Sequence, residues 1–157
     1  MKKFVCLLVV VLSSVPLYAQ VDPKPLANQE DLLKDRDSKL AANKKLVYDF
    51  WREVLEARHL DLAEKYMRTD YIQHNPNATT GIEGFKAYFS RLGAPLPIEP
   101  KIKRQVISIV AQGDLVVLSF VQENRDSKGQ PYKTTWFDMF RIQGGKIAEH
   151  WDSALKQ

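Results

Sequence analysis

Apolar residues recur at spacings of three and four from Ser38 onward, which is the pattern of an amphipathic helix. This stripe predicts one helix from Ser38 to about Arg58. Asp61 is the predicted N-cap of a short second helix, and a third helix is expected over residues 82–92. The residues expected to face inward on the three helices are Leu40, Val47, Phe50, Trp51, Val54 and Leu55; Leu62, Ala63, Tyr66 and Met67; and Ile82, Phe85, Phe89 and Leu92.

The second half of the chain changes to the period of two that is typical of strands. Three prolines in "GAPLPIEP", residues 93–100, prevent the third helix from continuing. Residues 101–125 contain two β-rich runs around "AQGD", and residues 132–152 contain two more around "QGG", so each stretch predicts a hairpin. A short extra strand is expected at "DYIQH", residues 70–74. Helices packed on one face of a mostly antiparallel sheet make an α+β domain.

The N-terminus indicates export. Residues 1–19 combine two lysines, an apolar run and the small residue Ala19, which is the pattern of a cleaved secretory signal peptide. The alternative is an uncleaved anchor, although the apolar run is short for a membrane span. We therefore expect a periplasmic or secreted protein without stable membrane insertion. Residues 20–37 are polar, contain two prolines and are interpreted as a leader arm before a domain over residues 38–157.

Composition narrows the chemistry that is available. The one cysteine, Cys6, lies in the leader, so the mature chain would have no disulfide, cysteine nucleophile or thiolate metal site. The net charge of +4 falls to +2 without Lys2 and Lys3, and the remaining basic residues are scattered among acids. This distribution does not predict a nucleic-acid partner.

Asp138 is the acid that the strand pattern singles out. Alternation along "TTWFDMFRI", residues 134–142, places it on one face with Trp136, Phe140 and Ile142. If this face packs against the helices, burial favours the neutral form of a carboxyl group and suits it to general acid or base catalysis. The alternative is a structural acid paired with a basic group or the backbone, and a single β-bulge would reverse the parity.

The last strand carries a second group of candidates. Alternation along "KIAEHWD", residues 146–152, places His150 and Asp152 on one face with Ala148. His150 and Asp152 could form a proton-shuttling pair, or they could meet solvent at the end of the strand. The opposite face would carry Ile147, Glu149 and Trp151.

His74 lies in "YIQHNP", residues 71–76, and on its own is equally well explained as a turn histidine that bonds a loop carbonyl. No His-x-His or His-Glu-x-x-His spacing is present, so no metal site is expected. "GIEGF", residues 81–85, lacks the preceding strand and further glycine of a phosphate loop and is interpreted as the start of a helix.

Two long stretches resemble a known family. The chain resembles the SnoaL-like polyketide cyclases of the nuclear transport factor 2-like superfamily over nearly all of residues 43–155. The stretches that carry the resemblance are "NKKLVYDFWREVLEARHLDLAEKYMRTDYIQHNPNATTGIEGFKAYF" and "FDMFRIQGGKIAEHWD". The resemblance implies a conical α+β fold in which a curved sheet wraps around a long helix and leaves an apolar pocket open at one end. It also implies that Asp138 is the acid–base residue and that His74, His150 and Asp152 lie near the pocket.

Family membership leaves the activity open, because this superfamily hosts cyclases, isomerases, dehydratases, hydrolases and binding proteins on one scaffold. The first hypothesis is a cofactor-independent lyase or isomerase of aldol type acting on a small carbonyl compound. Asp138 would take a proton α to the carbonyl, and His74 or His150 would donate a hydrogen bond to the enolate. The residues expected to contact the ligand are Trp136, Phe140, Ile142, Asp152, Tyr71 and Trp51.

The second hypothesis is a binding protein of the cell envelope in which the same pocket holds an apolar ligand without turnover. In either case we expect a homodimer, partly from the resemblance. Thr135, Phe137 and Met139 lie on the strand face opposite Asp138, and an exposed apolar patch of this kind usually contacts a partner.

Overall fold

A computed structural model describes residues 21–156 of the chain, so the predicted signal peptide lies outside the described residues. The N-terminal half is helical, and its longest helix, Ser38–Phe50, continues without a break into a π-helical segment, Trp51–Glu56. Short 3₁₀ turns, Leu60–Leu62 and Ser90–Leu92, precede the third helix and follow the fourth. The α-helices are α1 (Gln29–Leu32), α2 (Ser38–Phe50), α3 (Ala63–Tyr66) and α4 (Ile82–Phe89).

The C-terminal half forms two hairpins of a curled five-stranded sheet with the order β1-β5-β4-β3-β2. The extra strand predicted near residue 70 is β1, which pairs in parallel with β5, whereas all other pairs are antiparallel. The predicted α+β class is therefore confirmed. The strands are β1 (Met67–Gln73), β2 (Val106–Gln112), β3 (Leu115–Arg125), β4 (Pro131–Gln143) and β5 (Lys146–Asp152).

Aromatic rings from the helices and the sheet meet in one core. Phe50 at the end of α2 is 1% exposed, and its ring centroid lies 5.8 Å from that of Phe140 on β4 and 5.8 Å from that of Phe85 on α4. Burial of a side chain of this size stabilises a fold by about 1.5–3 kcal/mol. These contacts hold the long helix in the concave face of the sheet, as the apolar stripe predicted.

The second predicted helix is wrong in two details, and the third predicted helix ends earlier, at Phe89, so that Leu92 is exposed instead of facing inward. The Asp61 side chain makes no capping hydrogen bond, because the chain forms a 3₁₀ turn there and α3 begins only at Ala63. Met67 is buried as expected but starts β1 instead of ending a helix. The start of α2 agrees better, since Asp37 accepts hydrogen bonds from the first backbone N–H groups of this helix.

A β-bulge on β5 also corrects the predicted strand faces. Arg141 is opposite Glu149 and Ile142 is opposite Ile147, so Ala148 is the extra residue between two paired positions. Ile147 therefore packs in the core, fully buried, although simple alternation had placed it with Glu149 and Trp151. Beyond the bulge the predicted alternation holds.

The leader arm lies against the domain in its described part. The backbone N–H of Leu26 donates to Val106, and the Gln29 amide donates to the Ile102 carbonyl and accepts from the Tyr48 hydroxyl. The polar composition and the prolines of residues 20–37 had suggested a linker. The observed contacts are polar and join residues far apart in the chain, so no apolar periodicity in the sequence could predict them. None of the helices within residues 21–156 has the length and apolar character needed to cross a membrane.

Gly84 allows α4 to pack directly on the loop that follows β1. A Cβ atom at this position would lie 2.5 Å from the carbonyl oxygen of Thr79, closer than real Cβ atoms come. Glycine to alanine usually stabilises a helix interior by up to about 1 kcal/mol. We expect Gly84→Ala to lower the free energy of unfolding instead, by about 1–3 kcal/mol, because backbone must move to relieve the clash. Urea unfolding would measure this, and a stabilised variant would contradict the packing described.

Candidate active site

Asp138 lies in the wall of a cavity of about 330 Å³ between the helices, the concave face of the sheet and the loop after β1. Its side chain is almost completely buried. The neighbouring walls are a mixture of aromatic rings, amides and charged groups. The lining residues are Trp51, Leu55, Asn75, Asn77, Tyr88, Phe89, Leu92, Arg104, Trp136, Asp138, His150, Asp152 and Ala154.

Two indole N–H groups hold the Asp138 carboxylate. Trp51 Nε1 donates to Oδ2 and Trp136 Nε1 donates to Oδ1, both at 2.8 Å. Trp51 is the first residue of the π-helical segment, and Trp136 precedes Asp138 by two positions on β4, so one donor comes from each layer of the fold. Donation to both oxygens offsets the cost of burying the acid away from water.

His150 is the third group in contact with Asp138, and its orientation is fixed. Gln73 Oε1 accepts from the backbone N–H of Asn75 at 3.1 Å, which identifies this atom as the oxygen of the amide. His150 Nδ1 lies 2.9 Å from the same oxygen and must therefore carry a hydrogen. The imidazole also stacks on Phe140, with ring centroids 4.7 Å apart.

This orientation directs His150 Nε2 toward Asp138 Oδ1, at 3.3 Å. Nε2 of a neutral ring with a hydrogen on Nδ1 is an acceptor, and so is a carboxylate oxygen. Contact between them requires one proton, carried either by the imidazole or by the carboxyl group. The pair is thus arranged to hold and transfer a single proton.

Asp152 completes a cluster of acids at this point of the cavity. It is opposite Asp138 in the β4–β5 register, and its oxygens accept from Asn75 Nδ2 at 2.6 Å and from the backbone N–H of Ala154 at 2.9 Å. Burial raises the pKa of the nearby Tyr71 hydroxyl, and the charges of Asp152 and Asp138 raise it further. Tyr71 is therefore a neutral hydrogen-bond donor at physiological pH.

The same cluster includes the one set of side chains in the described residues whose spacing would suit a metal ion. Ligand atoms of Asp138, His150 and Asp152 lie within 4.8 Å of one another. A carboxylate and imidazole set of this kind could hold a divalent cation. However, each oxygen of both aspartates already accepts a hydrogen bond from an N–H group. These donors stabilise the two carboxylates in the absence of a cation. The arrangement therefore fits a site for proton transfer better than a metal site.

Arg104 enters the cavity from the segment before β2. Glu56, at the end of the π-helical segment, accepts the backbone N–H groups of Lys103 and Arg104 at 2.8 and 2.9 Å and so fixes this segment. The guanidinium lies over the rings of Phe120 and Trp51. Burial lowers the pKa of Arg104, and the charges of Asp138 and Glu56 oppose this shift. The group nevertheless remains a cation at physiological pH.

His74 does not join this cluster, because its side chain lies on the other face of the sheet. Its ring stacks on Trp151 at 4.5 Å, with the two planes 4° apart, and Nε2 donates to Glu149 at 3.1 Å. Arg141 donates to the same carboxylate and to Asp114. The contact of His74 with the cavity side is indirect: its backbone N–H donates to the carbonyl of His150.

The other predicted ligand contacts divide into three groups. Trp51, Trp136 and Asp152 line the cavity. Phe140 lies beneath His150, and Ile142 is paired with Ile147 in the core, so both support the wall from behind. The remaining residue, Tyr71, is buried against Phe85.

Sequence reasoning missed Gln73, Asn75 and Arg104. Alternation along "YIQHN" would have placed Tyr71, Gln73 and Asn75 on one side and His74 on the other, so the signal for the two amides was present. Arg104 lies outside a strand, at a position where no periodicity applies.

Comparison with known proteins agrees with this fold. A family model of the SnoaL-like polyketide cyclases matches residues 45–154. The chain belongs to this family. In sequence, no curated protein matches the chain.

Solved structures extend the likeness of this SnoaL-like domain at the level of the fold. A SnoaL-like polyketide cyclase-type protein from Jannaschia sp. CCS1 has 20% identity and a TM-score of 0.55, covering 76% of this chain and 91% of that one. TsrD from Streptomyces laurentii has 20% identity and a TM-score of 0.51, covering 76% and 90%. An LEH-like epoxide hydrolase from M. tuberculosis has 13% identity and a TM-score of 0.52, covering 73% and 83%.

Glu149 makes the stability of the domain depend on acid pH. The hydrogen bond from His74 holds the pKa of Glu149 below its ordinary value, and Arg141 adds to this. A carboxyl with a lower pKa in the folded state loses its stabilisation as pH falls below the ordinary value of about 4.5. We expect Glu149→Gln to cost about 0.5–1 kcal/mol near pH 7 and progressively less toward pH 3.

Urea unfolding of both proteins between pH 3 and pH 7 would measure this difference. Glu83→Gln is a matched control, because Glu83 is largely exposed and makes one long contact, of 3.5 Å to Lys86, within the described residues. A difference between wild type and Glu149→Gln that stayed constant over this range would contradict the assignment.

Proposed function

We propose that this SnoaL-like domain is a cofactor-independent lyase or isomerase of aldol type that acts on a small carbonyl compound. The observation that carries the proposal is the 3.3 Å contact between His150 Nε2 and Asp138 Oδ1 in the wall of a cavity, which requires one proton between the two acceptors. A general acid and a general base in contact with each other are what enolisation requires. The family to which the chain belongs supports the reaction type, and the predicted signal peptide favours a site of action outside the cytoplasm.

The proposed reaction starts with His150 protonated and Asp138 ionised. The substrate's carbonyl oxygen accepts a hydrogen bond from His150 Nε2, and an oxygen of Asp138 removes a proton from the α-carbon. The C–H electron pair moves into the new C=C bond, and the carbonyl π electrons move to the oxygen, which His150 neutralises. Transfer of the proton from Asp138 to another carbon, with return of the enol proton to His150, gives an isomer. Attack of the enol carbon on a second carbonyl carbon, with return of the enol proton to His150 and transfer of the Asp138 proton to the new alkoxide, gives an aldol.

Neighbouring groups maintain this arrangement through the cycle. The indoles of Trp51 and Trp136 keep the carboxylate in one orientation, so little reorganisation precedes proton removal. Gln73 keeps the hydrogen of His150 on Nδ1, which leaves Nε2 to exchange its proton with the substrate. In this reaction His74 has no direct role; it anchors the back of the wall.

Exchange of α-hydrogens for deuterium tests the proposal without knowledge of the natural substrate. Cyclic and aryl-alkyl ketones would be incubated with the protein in D₂O and followed by NMR. We expect the wild type to accelerate the exchange, and Asp138→Asn and His150→Gln to lower its rate by about 10²–10⁴-fold, the usual contribution of a general acid or base.

Asp70→Asn and His59→Gln are controls of the same chemistry outside the cavity, since Asp70 pairs with Arg68 on the surface and His59 contacts the Leu96 carbonyl. Both should exchange at the wild-type rate. An Asp138→Asn variant with undiminished exchange would refute the mechanism. Binding of ketones without any exchange by the wild type would favour the alternative, a binding protein of the cell envelope.

We also propose that the convex face of the sheet forms a homodimer. Phe137 and Val110 are about half exposed there, at 50% and 54%, and Val117 and Met139 lie between them in a shallow groove. Sedimentation at micromolar concentration should give twice the mass of the chain, and Phe137→Lys should reduce it to the monomer. The same change at Ile98, exposed in the loop before β2 on the helical side of the domain, should leave the dimer intact; a monomeric wild type would contradict the proposal.

A further inference from the structure

Arg104 carries a positive charge into the cavity without forming an ion pair to any of the residues that the structure describes. Its guanidinium makes one hydrogen bond, from Nη2 to the neutral amide oxygen of Gln122. One of five N–H donors is thus used. Arg52 and Arg141 differ in this respect, because each contacts two carboxylates.

The acids nearest to Arg104 are occupied by other donors. Glu56 accepts the backbone N–H groups of Lys103 and Arg104 itself, and both oxygens of Asp138 accept from tryptophans. The guanidinium lies over Phe120, 4.9 Å from the ring centroid, and over Trp51, 5.7 Å from its ring. Contact with these rings holds the cation in the wall of the cavity that Arg104 lines, and leaves its other N–H groups for a ligand there.

A half-buried cation that contacts rings and one amide, and on which Asp138 and Glu56 act without a direct ion pair, is incompletely compensated, and an anion that replaces its lost water would compensate it. The planar fork of a guanidinium matches the two oxygens of a carboxylate. We propose that the cavity takes a substrate with a carboxylate group, which Arg104 binds. This inference rests on the proposed function and adds to it the class of substrate: a small keto acid instead of a neutral ketone.

The position of Arg104 assigns the carboxylate to a part of the substrate that does not react. Phe120, beneath the guanidinium, is opposite Trp136 in the β3–β4 register, two positions along β4 from Asp138. Two strand positions correspond to about 7 Å. A donor that stabilises the enolate oxygen must lie about 3 Å from it. His150 is in a position to do this for a substrate bound at Asp138, because its Nε2 atom contacts Asp138 directly. Arg104 therefore binds at a distance from the α-carbon and orients the substrate.

The binding of two ligands that have the same shape but different charge tests the assignment. trans-Cinnamate and cinnamamide have nearly the same size and planarity but differ in charge, and isothermal titration calorimetry would give both affinities at one fixed ionic strength. We expect the wild type to bind cinnamate about tenfold or more tightly than cinnamamide, because only the acid receives charge-assisted hydrogen bonds. Arg104→Met should lose this preference while its affinity for cinnamamide stays within about twofold.

Controls separate this inference from folding and from the proposed reaction. Arg68→Met removes an exposed arginine that pairs with Asp70 and should keep the wild-type preference. Arg104→Lys retains the charge without the fork and should show an intermediate preference, which keeps the test valid if Arg104→Met does not fold. Equal binding of acid and amide by the wild type, no measurable cinnamate binding, or a preference retained in Arg104→Met would overturn the proposal.

Asp138→Asn distinguishes the two proposals, since it should abolish α-hydrogen exchange and still prefer cinnamate to cinnamamide. Wild-type protein that prefers the acid but exchanges no α-hydrogen would refute the proposed reaction alone. Exchange of neutral ketones together with equal binding of acid and amide would refute only the role of Arg104.

Discussion

The structure depends on one buried carboxylate that is shared between its two layers. Asp138 comes from the sheet, one of its indole donors comes from the long helix, and the other comes from its own strand. Removal of Asp138 leaves two indole N–H groups without this partner, and removal of Trp51 leaves Oδ2 without its donor in a place that water reaches poorly, at a cost of about 1–3 kcal/mol. The contact that positions the candidate base therefore also fixes the helix in the sheet, so stability and chemistry depend on the same atoms.

The sequence predicted this acid because strand alternation is a local property. Trp136, Asp138, Phe140 and Ile142 share a face whatever the rest of the chain does, and β4 contains no bulge among them. The prediction for Ile147 on β5 failed because a bulge at Ala148 depends on the partner strand, which the sequence of β5 alone does not contain. The helix stripe was equally reliable, but the π-helical turn that directs Trp51 to Asp138 has no signature in hydrophobic spacing.

The "YIQHNP" motif illustrates how a conspicuous residue can draw attention from its neighbours. The histidine was the expected participant, yet the structure directs Gln73 and Asn75 to the cavity and His74 to the opposite face. The amides act on His150 and Asp152 and leave the ionisable chemistry to the sheet. Arg104 was invisible for a different reason, since its role arises from charge compensation across the cavity, which only the three-dimensional arrangement can reveal.

All three tryptophans of the chain lie in or next to the wall of the candidate site. Trp51 and Trp136 donate to the buried acid, and Trp151 stacks on His74 on the other side of the same wall. Emission that is excited selectively from tryptophan therefore originates within one or two side chains of the site. A change in protonation or occupancy would alter the spectrum directly, so the chain contains its own optical reporter and needs no attached dye.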